Sequence, residues 1–273
     1  MPPLLSKPHM ARWGAWAFAF VFSALYLATR TWVFSYDAFT AVLTTERNGT
    51  FPFHPNHLFG NGLGWLFFKG LSLTSGPARA LFVFQTVNAV IAGMAVGYFF
   101  YLLAVRFSLR AGILGSTGLG LSYAFWSEAV DAGAYASAGL CAVALTGALL
   151  QFNKEIGKER RSIEALTTGL LLGAGILVHQ MFLLAIPAFL ILLGASPVPS
   201  VQEKVRPPLF FLIGVFLAGI VPYAVIARFY YGFGIREGLF WFLGPAGPRP
   251  NSGILVNSWW QWKVFQNVPP LWH

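Results

Sequence analysis

Apolar runs about as long as a bilayer is thick recur along this chain, and they constrain its fold more than any other feature. A transmembrane helix needs about 20 mainly apolar residues, and the sequence meets that requirement several times. Of the 273 residues, 56% are hydrophobic and only 10% are charged, whereas a soluble domain carries about 25% charged residues. This composition excludes an ordinary soluble protein and predicts an integral membrane protein, with residues 1–273 forming a single transmembrane domain.

The predicted architecture is an all-α, polytopic transmembrane helix bundle of about seven spans. The spans cover roughly residues 13–34, 80–105, 111–125, 132–152, 165–178, 181–194 and 208–231. Prolines and glycines between residues 52 and 64 predict turns joined to interfacial helices in a long first outer loop. Residues 232–273, which are rich in tryptophan, predict an aromatic interfacial tail.

The distribution of basic residues predicts the orientation of the spans. The stretch 165–193 could be one long helix or two short ones, and it is flanked by Lys154, Lys158, Arg160, Arg161, Lys204 and Arg206. The positive-inside rule places both flanking links in the cytoplasm, which requires two short helices that reverse at His179 and Gln180. The amino terminus is then cytoplasmic and the polar loops are periplasmic, in what we expect to be a bacterial inner membrane. Because the net charge of +9 is scattered over segment ends, we expect no nucleic-acid partner.

The predicted outer links collect the acids and imidazoles that could carry chemistry. They are Asp37, Glu46, His54, His57, Glu128, Asp131 and His179. Asp37 directly follows the first span, where a carboxylate at the rim of a membrane cavity could take a proton from an acceptor hydroxyl. The alternative for Asp37 is a solvated residue at the start of a helix.

The motif His54-Pro55-Asn56-His57 is the densest polar group in the chain. Two histidines three residues apart can share a helical face and bind a metal, but a catalytic zinc site usually needs three protein ligands, and the third would come from a remote loop. The single cysteine, Cys141, lies in an apolar run and excludes a cysteine-ligated site. We therefore expect no metal and no other cofactor, and we interpret His54, Asn56 and His57 as donors to a phosphate or a sugar.

Two outer segments have both a structural and a functional interpretation. Glu128 and Asp131, which precede the fourth span, either complement a helix amino terminus or complete an acidic cavity with Asp37. His179 and Gln180 form either a simple water-facing turn or part of the same site.

A few polar and small residues fall inside the apolar runs. Arg30 snorkels to the interface, pairs with an acid or binds a lipid phosphate. Gly169 and Gly173 repeat at four-residue spacing and predict close packing of helix backbones. Gln85 and Asn88 are the polar groups deep in a span that a transport pathway could use, and two amides are little support for a transporter.

Four of these segments together resemble glycosyltransferases of the GT-C superfamily. They are the acid after the first span, the sequence His-Pro-Asn-His-Leu at residues 54–58, the sequence Trp-Ser-Glu-Ala-Val-Asp-Ala-Gly-Ala-Tyr at residues 126–135, and His-Gln at residues 179–180. The closest resemblance is to bacterial relatives of protein O-mannosyltransferases, in a short form that comprises only the core transmembrane module.

The resemblance implies an enzyme that moves a sugar from a polyprenyl-phosphate donor to an acceptor on the non-cytoplasmic side. Asp37 would be the catalytic base. The donor cavity would be lined by His54, Asn56, His57 and His179, and the acceptor would be bordered by Glu128, Asp131 and Tyr135. Arg30 or another outer basic residue would recognise the phosphate, and Gln180 would be a further substrate-binding residue. No second acid stands beside Asp37, so the resemblance does not imply metal-dependent catalysis by adjacent carboxylates.

Two other functions fit the same sequence. A catalytically inactive GT-C-like core could serve as a structural or assembly subunit of a larger membrane complex, because a fold does not determine a function. A transporter is the third candidate. The expected partners are a lipid-linked sugar donor, membrane lipids and, for the structural alternative, other membrane subunits.

Overall fold

The structure, a computed structural model, describes residues 7–32, 34–49, 51, 57–74, 79–152, 158–194 and 201–243, and the regular elements within these ranges are all helical. This confirms the predicted all-α bundle. The helices are α1 Lys7–Ala28, α2 Tyr36–Asn48, α3 Gly62–Thr74, α4 Ala80–Arg106, α5 Leu109–Leu121, α6 Tyr123–Val130, α7 Tyr135–Phe152, α8 Lys158–Val178, α9 Ile186–Gly194, α10 Val201–Val215, α11 Val221–Val225 and α12 Ile235–Leu243. A 3₁₀ helix, Gln180–Ala185, leads into α9, and π-helical turns at Phe216–Ile220 and Ile226–Tyr230 flank α11.

Four helical segments among the described residues are long and apolar enough to cross a membrane. They are Pro8–Ala28, Ala80–Arg106, Arg161–Val178 and Val205–Tyr230. The apolar helices Tyr135–Leu150 and Gln180–Leu193 are shorter, and α5 has 13 residues. Each of the seven predicted segments therefore contains a helix, while the crossing of the bilayer by all seven stays a prediction.

The first helix ends earlier than predicted. α1 stops at Ala28, and the Thr29 hydroxyl donates a hydrogen bond of 2.8 Å to the carbonyl of Leu25. Arg30 follows in an exposed turn, where its guanidinium carbon lies 5.4 Å from the centroid of the Phe82 ring. The prediction that Arg30 lies inside the first span is wrong, because the run beyond Ala28 is apolar but contains β-branched residues that favour helices weakly, and a cation is costly in the hydrocarbon.

α4 is the central helix of the bundle and packs against α1, α3, α5 and α7. Phe22 and Tyr26 of α1 are buried against Ala92 and Val96 of α4 in one apolar cluster. The Tyr26 hydroxyl, which would otherwise be an unpaired polar group in that cluster, donates to the carbonyl of Gly120 over 2.8 Å. These contacts hold α1 against α4 and connect it to α5.

α8 lies at backbone distance from α10 and from the π-helical turn Phe216–Ile220 that follows α10. A Cβ atom added at Gly169 would lie 2.1 Å from the carbonyl oxygen of Phe211, and one added at Gly173 would lie 2.8 Å from the backbone nitrogen of Gly219. The close packing predicted for Gly169 and Gly173 is confirmed, since only hydrogen atoms fit between these backbones.

The break between α8 and α9 lies where the basic residues predicted it. His179 has an extended backbone, φ −156° and ψ 126°, and the ring of Phe182 lies against Gly175, with one ring carbon 3.1 Å from the position of an added Cβ. The chain therefore turns back after α8, and the prediction of two short helices instead of one long helix is confirmed.

The chain divides into two compact units, Met1–Tyr223 and Ala224–His273. In the second unit the N–H of Phe233 donates to the carbonyl of Ala227 over 2.9 Å, and Gly232 takes a positive φ of 69°, a conformation that glycine adopts at no steric cost. α12 follows this turn. Residues 244–273, most of the predicted aromatic tail, lie outside the described residues.

Candidate active site

Asp37 lies in the first turn of α2, at the end of the bundle where α1 ends and α4 begins. Ser35 caps this helix, because its Oγ accepts a hydrogen bond of 3.3 Å from the N–H of Ala38. The carboxylate of Asp37 is favourably placed near the positive end of the helix dipole. Its side chain is 30% exposed, so it is accessible to a substrate.

His57 is a polar partner of Asp37. Its Nε2 lies 3.3 Å from the Asp37 Oδ2, and its side chain is only 2% exposed. The loop that carries His57, residues 57–61, is fastened to the end of α8, where the N–H of Phe59 donates to the carbonyl of Leu177 over 2.8 Å. Asp37 and His57 therefore form one contact although they come from different parts of the link between α1 and α4.

His179 joins this pair from the break after α8. Its ring centroid lies 6.2 Å from that of His57 and 5.0 Å from that of Tyr135, the first residue of α7. Its Nδ1 accepts the N–H of Met181 over 3.2 Å, so in the neutral ring the proton is on Nε2. Burial and then the neighbouring His57 lower the pKa of His179, against an opposing effect of Asp37. The neutral form, with one N–H donor, is thus favoured at neutral pH.

Glu128, in α6, is a second acid at this end of the bundle. Its Oε2 is buried and finds no hydrogen-bond partner among the described residues. Burial and then the charge of Asp131 raise the pKa of Glu128.

Asp131 is buried and fully engaged by the protein. Its side chain is 5% exposed, its Oδ2 accepts hydrogen bonds from the Ser35 hydroxyl (2.6 Å) and the Ser35 N–H (3.3 Å), and its Oδ1 accepts from the N–H of Ala132 over 2.7 Å. Asp131 therefore connects the link between α6 and α7 to the start of α2.

Gln85 and Asn88 of α4 hold the same link by its backbone. The Gln85 amide donates to the carbonyls of Thr31 (2.9 Å) and Val130 (3.1 Å). The Asn88 amide donates to the carbonyls of Asp131 (2.9 Å) and Gly133 (2.5 Å). Sequence reasoning considered these amides only as a transport pathway, and in the structure they satisfy backbone carbonyls that would otherwise be buried without donors.

The structure brings together four of the predicted site residues, Asp37, His57, Tyr135 and His179. Gln180 forms a hydrogen bond with the hydroxyl of Tyr223, and Arg30 lies over Phe82 as described above. His54 and Asn56 lie outside the described residues. No group of three metal-ligating side chains is present among the residues that the structure describes.

Comparison with known proteins gives one match. Residues 68–199 match the model of a family described as the Protein O-mannosyl-transferase TMEM260 N-terminal domain, a segment slightly shorter than half of the chain. No curated protein and no solved structure matches. The matched segment contains Glu128, Tyr135 and His179, and Asp37 and His57 precede it. Over this segment the chain is similar to a protein O-mannosyltransferase domain. This similarity and the four long apolar helices of the described residues support a glycosyltransferase-like membrane protein.

Proposed function

We propose that this protein transfers a sugar from a polyprenyl-phosphate donor to an acceptor hydroxyl on the non-cytoplasmic side of the membrane, with Asp37 as the catalytic base. The observation that carries the proposal is the Asp37–His57 contact of 3.3 Å at the end of an apolar helix bundle. Asp37 is partly exposed while His57 is buried, so a substrate can reach the carboxylate without displacing its partner.

The reaction requires one base and a stabilised leaving group. The Asp37 carboxylate takes the proton of the acceptor hydroxyl, the acceptor oxygen forms a bond to the anomeric carbon, and the bond from that carbon to the phosphate oxygen breaks. Polyprenyl phosphate leaves with the electron pair, and Asp37 returns its proton to water. His57 keeps the carboxylate oriented, and the Nε2–H of His179 is a donor for the phosphate or the sugar.

The chemistry of the neighbouring residues supports separate roles toward the two substrates. His57 and His179 supply imidazole groups near Asp37, and the ring of Tyr135 lies 5.0 Å from that of His179. We assign the imidazole groups to the donor, because they donate hydrogen bonds to anionic oxygens. We assign Tyr135 and Glu128 to the acceptor, because a carboxyl group and a phenol can hold hydroxyl groups.

Replacement of Asp37 tests the assignment of the base. The protein in lipid nanodiscs is given radiolabelled polyprenyl-phosphate mannose and a peptide rich in serine and threonine, and the transfer of label to the peptide is measured. We expect Asp37→Asn to lower the rate about 10²–10⁴-fold, the range lost when a general base is removed. The matched control is Glu46→Gln, which makes the same chemical change on the same helix and can still accept the N–H of Ala80, a bond of 2.9 Å in the wild type.

Two results would contradict the proposal. Equal transfer by Asp37→Asn and Glu46→Gln would remove Asp37 from the mechanism. The inactive structural subunit would be favoured by two observations made together. The wild type would transfer no label from mannosyl, glucosyl or galactosyl donors, and other membrane subunits would co-purify with it at fixed stoichiometry.

A further inference from the structure

We propose that Asp131 is a positioning residue for Asp37 and acts through the hydroxyl of Ser35. The inference rests on the proposed function, since it concerns the placement of the proposed base. It assigns to Asp131 a role different from the contact with the acceptor that the sequence suggested.

Two donor groups of Ser35, its hydroxyl and its backbone N–H, link Asp131 to the start of α2. The Ser35 Oγ donates to the Asp131 Oδ2 over 2.6 Å and accepts the N–H of Ala38 over 3.3 Å. The Ser35 N–H also points to the same carboxylate oxygen, at 3.3 Å. Because Asp37 lies in the turn between Ser35 and Ala38, its position depends on the atoms that hold this cap.

The other end of the link is held on α4. The Asn88 amide donates to the backbone carbonyls of Asp131 and Gly133, and the Gln85 amide donates to the carbonyl of Val130. The Asp131 side chain is therefore attached to a segment whose backbone is fixed by the central helix. The Asp131 side chain therefore connects α4 to α2, the helix that carries Asp37.

A carboxylate suits this position better than an amide. Three donors, two from Ser35 and one from Ala132, converge on its two oxygens, and an ionised acceptor makes shorter and stronger hydrogen bonds than a neutral one. An asparagine would offer one accepting oxygen and would turn an N–H group toward a donor. The Asp131→Asn variant is thus expected to release Ser35.

The consequence for catalysis follows from the sensitivity of proton transfer to geometry. A displacement of about 1 Å can cost about 10²-fold in rate. Release of the cap would move the Asp37 carboxylate and leave His57 and His179, the residues assigned to the donor, unchanged. Asp131→Asn also removes a charge that raises the pKa of Glu128 on the acceptor side, so the KM for the donor is the one to measure. The expected loss is therefore in kcat, with the KM for the donor unchanged.

The experiment combines hydrogen exchange with kinetics, on the full chain in nanodiscs and with the polyprenyl-phosphate mannose assay above. The variants are Ser35→Ala, Ser35→Thr, Asp131→Asn and the double variant Ser35→Ala/Asp131→Asn. Ser108→Ala is the matched control, because Ser108 caps α5 in the same way, with its Oγ accepting the N–H of Ala111 over 3.1 Å. Mass spectrometry follows amide exchange in the peptides that cover α2.

We expect Ser35→Ala and Asp131→Asn to speed exchange in the first turn of α2 about fivefold or more. Each should lower kcat about 10–100-fold, with the KM for the donor unchanged. The double variant should be no slower than the slower single variant, because both changes break one connection. Ser35→Thr keeps the hydroxyl and should retain wild-type kcat, as should Ser108→Ala.

Two results would overturn this inference and leave the proposed base in place. One is unchanged amide exchange in α2 of the variants. The other is wild-type kcat in both Ser35→Ala and Asp131→Asn while Asp37→Asn is inactive. Full activity of Asp37→Asn would overturn the proposed function and this inference with it, and that variant alone identifies this case. If Asp131→Asn does not fold, Ser35→Ala gives the same test, since its side chain is smaller and only partly buried.

Discussion

The contact between α8 and α10 allows a quantitative prediction about the stability of the bundle. In Gly169→Ala the added methyl group would lie 2.1 Å from the carbonyl oxygen of Phe211, whereas ordinary contact begins at 3.4 Å. The neighbouring atoms are backbone, 2.9 Å and 3.0 Å away, so no side chain can rotate to make room. The two helices must therefore separate by about 1.3 Å, which is the kind of strain that makes overpacking destabilising.

The magnitude follows from two opposing effects. Replacing glycine by alanine inside a helix gains about 1 kcal/mol of helix propensity. Overpacking costs about 1–3 kcal/mol, and we take the upper end because the clash is with backbone. The net expectation for Gly169→Ala is a loss of about 2 kcal/mol in the free energy of unfolding.

Gly118→Ala is the matched control. An added methyl group at Gly118 would meet no atom within 4 Å, so the helix propensity acts alone and the variant should be up to about 1 kcal/mol more stable than the wild type. Unfolding in mixed dodecyl maltoside and sodium dodecyl sulfate micelles, followed by tryptophan fluorescence, measures both free energies. The reasoning is refuted if Gly169→Ala is as stable as Gly118→Ala.

Two further predictions concern the polar groups at the site end of the bundle. Asn88→Leu leaves the carbonyls of Asp131 and Gly133 without their donor, and the same unfolding assay should report a loss of about 2–4 kcal/mol in the free energy of unfolding. Thr86→Ala, an exposed change on the same helix, should have little effect. Similar losses in both variants would contradict the role of the amide. Burial and Asp131 raise the pKa of Glu128 above its ordinary 4.5, so the folded state binds this proton more tightly than the unfolded state and loses stability as the pH rises through the raised pKa. Glu128→Gln should therefore unfold at a higher temperature than the wild type at neutral pH, and this difference in unfolding temperature should vanish below pH 4.5. A difference in unfolding temperature that does not depend on pH would contradict the raised pKa.

The positions of the helices could be predicted because the patterns of hydropathy and charge that indicate them depend only on residues close together in the sequence. The break at His179 is an example, since the basic residues on both sides of residues 165–193 required it. The end of α1 could not be predicted in this way, because the apolar run continues past Ala28 and only the weak helix propensity of the threonines distinguishes it. Local signals thus determine where helices occur better than where they end.

The membership of the site could be predicted better than its contacts. Asp37, His57 and His179 were all expected near the substrates, but the structure pairs His57 with His179 across the fold, a contact that depends on the packing of α8. Asp131 was expected at a helix amino terminus or at the acceptor, and its hydrogen bonds from Ser35 were not predicted. The partner of a buried acid is set by tertiary structure, and no spacing in the sequence reveals it.

The Asp37–His57 contact joins two parts of the protein that have different attachments. The helix of Asp37 is attached through Ser35 to the segment held by α4. The His57 loop is attached through Phe59 to the end of α8 and continues into α3, which packs against α4. Sliding of α8 relative to α4 would therefore strain both the hydrogen bond between Phe59 and Leu177 and the 3.3 Å contact between the acid and its imidazole.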